Sequence, residues 1–191
     1  MIIQDVLKFT RYVGRLKSTE RSGWTTNVNI EEAESVADHS FRCAVLAMCL
    51  GDLAEMDTDK LIRMLLLHDV QEALTGDYDS LAKERTGPLE VKKMERTAIK
   101  RLLSMLPGDL ENRYLLLWRE FEDHKTPEAV LAKDIDRIEM VMQALEYEEA
   151  GFERDKLETF WNASENRIET TIGKELFSEL RKKKDQMRQR P

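Results

Sequence analysis

A chain of 191 residues is short enough for one domain and long enough to bury a sizeable core. Apolar residues make up 41% and charged residues 35%, a mixture that excludes a disordered chain and suits solvated helices. Thirty basic against 37 acidic side chains leave a net charge of −7. That balance argues against a nucleic-acid partner but leaves room for a small phosphorylated one, because a metal and one arginine reverse the local field. No apolar run reaches membrane-spanning length, and Met1-Ile2-Ile3-Gln4-Asp5 carries no signal-peptide pattern. A cytoplasmic chain with no membrane partner is expected.

Val6, Phe9, Val13 and Leu16 step by three or four, so residues 4–17 read as an amphipathic helix. Residues 18–34 are polar, carry Gly23 and Asn27-Val28-Asn29, and suit a loop. Ser35, with Asp38 three positions on, reads as the N-cap of a helix to about Ala54. Cys43 and Cys49 lie six apart on that helix, a spacing that does not set them side by side, and both are expected to be core thiols. Thr58 caps a further helix that ends near Leu74, before Gly76. Gly87-Pro88 opens one to about Met105, and another spans roughly 109–122.

Thr126-Pro127-Glu128 combines a cap, a proline at the first helical position and an acid in the first turn, so a helix runs from there to about Ala150. A last helix covers most of 154–187. Its basic end, Arg181-Lys182-Lys183-Lys184 to Arg190, reads as a solvated terminus favoured by the helix dipole. No segment shows sustained strand alternation. The expectation is an all-α single domain over 1–191, of about seven helices, with a metal-site core over about 21–150. Trp118 and Trp161 fit helix packing, and Met48, Met56, Met64, Met94, Met105, Met140 and Met142 read as core or gap fillers.

The chain has three histidines, and two of them fall in the pairs Asp38-His39 and His68-Asp69. The second pair follows Leu65-Leu66-Leu67 directly, so its polar groups sit at the rim of a core. Glu72 lies four positions after His68 and three after Asp69, on one helical face if the helix continues. Gly76-Asp77 then sets a further acid in a turn. Acids so placed serve as general acid or base, or receive a sugar hydroxyl. Asp136 borders the apolar stripe Ile135, Ile138, Met142 and Leu145, where an ionised carboxylate is costly unless paired or metal-bound. Asp134 sits about 160° round the helix and points elsewhere. On spacing alone the alternatives stay open: Asp38 as a capping acid, His39 as a structural histidine, Asp136 as the partner of Arg137 or a lysine. Lys17, Arg42, Arg63 and Arg137 stand near these motifs and read by default as solvated or salt-bridged. His124 precedes a helix start and is expected to be exposed, without a role.

Four pieces in order make the chain resemble the HD-domain superfamily of metal-dependent phosphohydrolases, in its 5′-deoxynucleotidase branch. They are Arg21-Ser22-Gly23-Trp24; Glu34-Ser35-Val36-Ala37-Asp38-His39-Ser40; His68-Asp69-x-x-Glu72-x-x-x-Gly76-Asp77; and Thr126-Pro127-Glu128-Ala129 with Lys133-Asp134-Ile135-Asp136-Arg137. They span residues 21–137. The resemblance implies His39, His68, Asp69 and Asp136 as ligands of a metal. It implies Glu72 as the acid/base group near the attacking water and Arg21 on the phosphate. It places Trp24 against the nucleotide, where it helps exclude a ribose 2′-hydroxyl, and Asp77 on the sugar hydroxyl or assisting the leaving group. Two residues separate Arg21 from Trp24, as in eukaryotic and archaeal-type members; in bacterial members the pair is adjacent.

A donor set of nitrogen and oxygen without thiolate suits one divalent ion, Mn²⁺, Co²⁺, Fe²⁺ or Mg²⁺. The expected activity is hydrolysis of deoxyribonucleoside 5′-monophosphates to deoxyribonucleoside and phosphate, by a homodimer acting on a small nucleotide. The alternatives are another HD nucleotide phosphohydrolase, acting on dNTPs, cyclic nucleotides or alarmones, and a non-catalytic helical binding module.

Overall fold

Apolar residues at steps of three and four become helices where the pattern runs unbroken, and local hydrogen bonding decides where each stops. The computed structural model of the chain describes residues 2–189; Met1, Arg190 and Pro191, hence the end of the basic tail, lie outside them. Among the described residues it is all-α. The helices are α1 (Ile2–Val13), α2 (Val36–Leu53), α3 (Thr58–Leu67), α4 (Glu72–Thr75), α5 (Ser80–Thr86), α6 (Pro88–Leu103), α7 (Gly108–Asp123), α8 (Pro127–Glu149), α9 (Arg154–Glu165) and α10 (Thr171–Arg188). A 3₁₀ turn, Gly14–Ser18, follows α1, and a π turn, Trp24–Val28, precedes α2. None of the described helices is long and apolar enough to cross a membrane. The chain divides into two compact units, Met1–Phe41 with Leu66–Glu122, and Arg42–Leu65 with Asp123–Pro191.

Ten helices replace the expected seven because two long patterns break and one helix is added. In the first unit the pattern over 58–74 breaks at His68. Trp118 gives its indole N–H to the His68 carbonyl at 3.2 Å and to Gln71 Oε1 at 3.0 Å. The backbone between tightens: Glu72 N–H goes to Asp69 O, Ala73 N–H to Val70 O and Leu74 N–H to Gln71 O. The segment after Gly76, read as turn alone, contains α5, whose N-cap Asp79 accepts from Ala82 N–H at 2.7 Å. The expected loop over 18–34 is an ordered excursion. Arg21 N–H to Glu34 O and Val36 N–H to Thr19 O tie its two ends. The core of this unit gathers Leu16, Val36, Leu67, Val70, Ile99, Leu102, Leu103 and Trp118, with Val6, Phe9 and Val13 of α1 packed against it.

In the second unit α9 and α10 pack on α8. Leu131, Ile135, Ile138, Val141, Leu157 and Trp161 are buried there. The single helix expected over 154–187 splits at Ile168–Thr170. The fully buried Asp134 carboxylate accepts from Glu169 N–H, Thr170 N–H and the Thr170 hydroxyl, the last at 2.6 Å. Thr170 in turn caps α10 by accepting from Gly173 N–H at 3.1 Å. A Cβ on Gly173 would lie 2.8 Å from Asp134 Oδ2, so the close approach requires glycine. The basic end of α10 is paired rather than simply solvated. Lys184, 3% exposed, meets Glu158 at 3.0 Å and lies over the Trp161 ring, and Arg188 bridges Glu148 and Glu158. Cys43 is buried as expected, but Cys49 is exposed, and so is Met48, because both face away from the apolar side of α2. His124 is half-buried, 3.4 Å from Glu169, rather than exposed.

Candidate active site

The site in the first unit starts from a capping box. Ser35 donates its N–H and its hydroxyl to Asp38 Oδ2 at 2.9 and 2.7 Å, and Asp38 N–H returns to Ser35 Oγ at 3.2 Å. Asp38 is therefore the capping acid, and the fixed first turn of α2 aims His39 inward. His39 is fully buried and His68 nearly so. His68 sits where α3 stops, its carbonyl held by Trp118 and its ring against the Phe121 edge at 5.2 Å between centroids.

Three donor atoms converge. The two Nε2 atoms of His39 and His68 lie 3.3 Å apart. Asp69 Oδ2 lies 3.0 Å from the His68 nitrogen and 3.9 Å from that of His39. Two imidazole nitrogens and a carboxylate oxygen turned toward one another fit a divalent cation, for which neutral imidazole and carboxylate are ordinary ligands. Burial pushes the Asp69 carboxyl up, but His68, Arg21 and His39 around it hold it well below the usual carboxylate range. It is thus kept as an anion, the form a cation takes.

Around this triad stand the other first-unit residues singled out in the sequence. Arg21 reaches Asp69 Oδ2 with Nη1 at 3.4 Å and Glu34 Oε1 with Nε at 3.9 Å. Glu72 is buried, and its Oε2 has no hydrogen-bond partner among the described residues. Burial first, then the charges of Asp69 and Asp77, push the Glu72 carboxyl well above its ordinary value. Glu72 is therefore biased toward its protonated form, next to a charged carboxylate. Asp77 accepts from Ser22 twice through Oδ2, from the N–H at 2.5 Å and the hydroxyl at 2.8 Å. It clamps the turn that carries Arg21, and that oxygen is already engaged.

Trp24 differs most from the expectation of a surface laid against a ligand. It is 1% exposed and gives its indole N–H to Glu34 Oε1 at 2.8 Å. The same Glu34 Oε1 lies 3.9 Å from Arg21 Nε. Glu34 thus holds Trp24 and Arg21 together, a role the sequence motif contained but spacing did not reveal. Ser22 and Trp118 were missed for the same reason: each acts through a partner about fifty positions away.

Asp136 lies on α8 in the second unit and is half-buried. Its neighbour Arg137 donates to the Arg167 carbonyl at 2.6 Å and lies 3.6 Å from Asp134. On the same helix Glu139, Gln143 and Glu146 all receive Arg42, with bonds of 2.6 to 2.8 Å. Arg42 is salt-bridged, as its default reading had it.

The chain is 36% identical to the 5′-deoxynucleotidase HDDC2 of Dictyostelium discoideum, over 93% of this chain and 97% of that protein. It is 34% identical to the protein of the same name from Homo sapiens, over 93% and 85% respectively. Among solved structures it is similar to the PH0347 protein of Pyrococcus horikoshii, with a TM-score of 0.77 and 29% identity over 92% of this chain and 96% of that one. The sequence profile of the HD domain matches residues 13–176, a span that includes every residue of the His39–His68–Asp69 cluster and its surround. With the paired histidine and aspartate set in an all-helical chain, the match makes this protein a member of the HD-domain family.

Proposed function

We propose that the chain is a metal-dependent 5′-deoxynucleotidase, releasing phosphate from deoxyribonucleoside 5′-monophosphates. One observation carries the reading: a His39–His68–Asp69 donor set, its two histidines buried, with Glu72 and Arg21 beside it, in a chain 36% identical over nearly its whole length to a protein named for that activity. His39, His68 and Asp69 would hold one divalent ion, and on the sequence signature alone Asp136 joins them as a ligand. The ion, when bound, supplies an activated water and screens the phosphoryl oxygens. Mn²⁺, Co²⁺, Fe²⁺ and Mg²⁺ all suit the donor set.

The protein's own groups do the rest. Arg21 orients the phosphate with a planar guanidinium that is already held in place by Glu34. Glu72, with its raised pKa and a buried Oε2 that has no hydrogen-bond partner among the described residues, moves the proton between water and the departing 5′-oxygen. Asp77 fixes the Arg21–Ser22 turn and borders the sugar side. Trp24 bears on sugar discrimination through Glu34, which it holds by its indole N–H. In this reading the enzyme is a cytoplasmic homodimer and its HD domain is a single functional domain.

The test is phosphate release from a panel of deoxyribo- and ribonucleoside 5′-monophosphates with each of the four metals. Release from the deoxyribonucleotides supports the reading. A metal-loaded protein that releases phosphate from none of them sinks it, and triphosphate or pyrophosphate as product transfers it to another branch of the family.

A further inference from the structure

We propose that Ser22 is a positioning residue of this site, which fixes the base of Arg21 and ties it to the segment that carries Glu72; the inference rests on the nucleotidase reading. Arginine has a long side chain with much rotamer freedom, so the aim of its guanidinium depends on how firmly its main chain is held. Here every polar main-chain group of Arg21 and Ser22 is engaged. Arg21 N–H goes to the Glu34 carbonyl at 3.0 Å, and the Arg21 carbonyl accepts from Trp24 N–H at 3.1 Å. Ser22 N–H goes to Asp77 Oδ2 at 2.5 Å. The Ser22 carbonyl accepts the Thr25 hydroxyl at 3.1 Å and the Thr26 hydroxyl at 2.6 Å, the latter shared with the Asp79 carboxylate. From this base the Arg21 guanidinium reaches Asp69 Oδ2 at 3.4 Å, the same oxygen that lies 3.0 Å from His68 Nε2.

The Ser22 hydroxyl adds the contact that bears on the chemistry. It donates to Asp77 Oδ2 at 2.8 Å, the oxygen that already takes the Ser22 N–H. Asp77 stands five positions after Glu72. Glu72 opens α4, Gly76 N–H closes on the Glu72 carbonyl at 2.9 Å, and Gly76 at φ 74° turns the chain into Asp77. One carboxylate oxygen thus joins the turn that bears the phosphate cation to the turn that bears the proton-handling acid. Both bonds to it are partly buried, where water competes weakly for them, and a bond from a hydroxyl to a carboxylate is among the stronger kinds. Without the hydroxyl the Ser22 N–H alone ties the turn to Asp77. The turn can then pivot about that one bond, and Arg21 loses its fixed aim.

The experiment uses the metal-loaded full chain and the variants Ser22→Ala, Ser22→Thr, Arg21→Ala and Arg21→Ala with Ser22→Ala. It measures kcat and KM on a deoxyribonucleoside monophosphate, and inhibition by inorganic phosphate and by the deoxyribonucleoside product. Ser22→Ala is expected to raise KM and weaken phosphate inhibition by roughly tenfold, the factor lost with one hydrogen bond to a charged group. Inhibition by the uncharged nucleoside should stay within about twofold, and Ser22→Thr, which keeps the hydroxyl, should restore most of the phosphate effect. In the Arg21→Ala background the same Ser22→Ala change should move phosphate inhibition by less than about twofold, because no guanidinium remains to be aimed. A Ser22→Ala enzyme whose phosphate inhibition is unmoved overturns the inference. So does an equal loss with and without Arg21, which marks a merely structural role. If the wild type hydrolyses no nucleotide, the nucleotidase reading falls on its own. Calorimetry with inorganic phosphate still decides Ser22, since equal binding by wild type and Ser22→Ala overturns it.

Discussion

Replacing Trp118 by Phe tests whether one indole both stabilises the first unit and aims the metal-binding pair. Trp118 is 2% exposed, and its N–H is shared between the His68 carbonyl at 3.2 Å and Gln71 Oε1 at 3.0 Å. Phenylalanine keeps the aromatic body but removes the donor, leaving two buried acceptors short of a partner at about 1–3 kcal/mol. The lost ring atoms add a small cavity at about 24 cal/mol per Å³ of unfilled space. The expected destabilisation is about 2–4 kcal/mol, read by urea denaturation of the metal-free protein. Freed from the indole, the His68 carbonyl can rejoin the helix ladder and turn the imidazole away from His39. Metal affinity by titration calorimetry should fall about tenfold to a hundredfold, as it does when a ligand loses its outer support. A variant that loses stability but binds metal like wild type refutes the positioning half of this reasoning. One within about 0.5 kcal/mol of wild type refutes the whole.

Glu72→Gln should lower kcat by about a hundredfold to ten-thousandfold while metal affinity holds, checked by paired kinetics and calorimetry; unchanged turnover removes Glu72 from the mechanism. Asp134→Asn should cost about 2–4 kcal/mol in urea, because an amide N–H₂ then faces the Glu169 and Thr170 donors that the carboxylate now satisfies. Glu158 is a pH probe: burial raises its carboxyl, but bonds from Lys184 and Arg188 together bring it below the ordinary value. A folded pKa below the unfolded one adds stability above the unfolded pKa, and this is lost as pH falls through the folded pKa. The stability gap between wild type and Glu158→Gln should therefore close as pH falls through and below the ordinary carboxylate range, and a gap constant with pH contradicts the assignment.

What could be read from the sequence was what is local. The Ser35–Asp38 box and the Thr126-Pro127 start depend on residues three or four apart, and both caps form as expected. The break at His68 depends on Trp118, fifty positions on, and nothing in the leucine run before it announces a stop. The split between α9 and α10 depends likewise on Asp134, more than thirty positions earlier. Asp134 was read only as pointing away from Asp136. The structure explains why it must: its oxygens hold the start of α10. The depth of Trp24 was illegible for a related reason. A tryptophan in a polar loop reads as a surface, and only the return of Glu34 across that loop gives its indole N–H a partner. His68, Asp69 and Glu72 are brought together as the motif implied, but by a tightened turn rather than by one continuous helical face.

That turn also explains how one short segment carries groups of opposite electrostatic character. A continuous helix would hold Asp69 and Glu72 in similar surroundings, one turn apart. Here Asp69 faces two imidazoles and Arg21, which favour its charged form. Glu72, three residues later, opens a new helix, sinks into the unit and meets the negative charges of Asp69 and Asp77. The first carboxylate is kept ionised and the second is pushed toward its protonated form. Two acids with their pKa values driven apart by environment are what a hydrolytic site needs, one to hold a cation and one to handle a proton. The cause is the helix break, and the cause of the break is the Trp118 N–H. A single buried indole, bonded to His68 and Gln71, thus connects the packing of α7 to the division of labour between two acids.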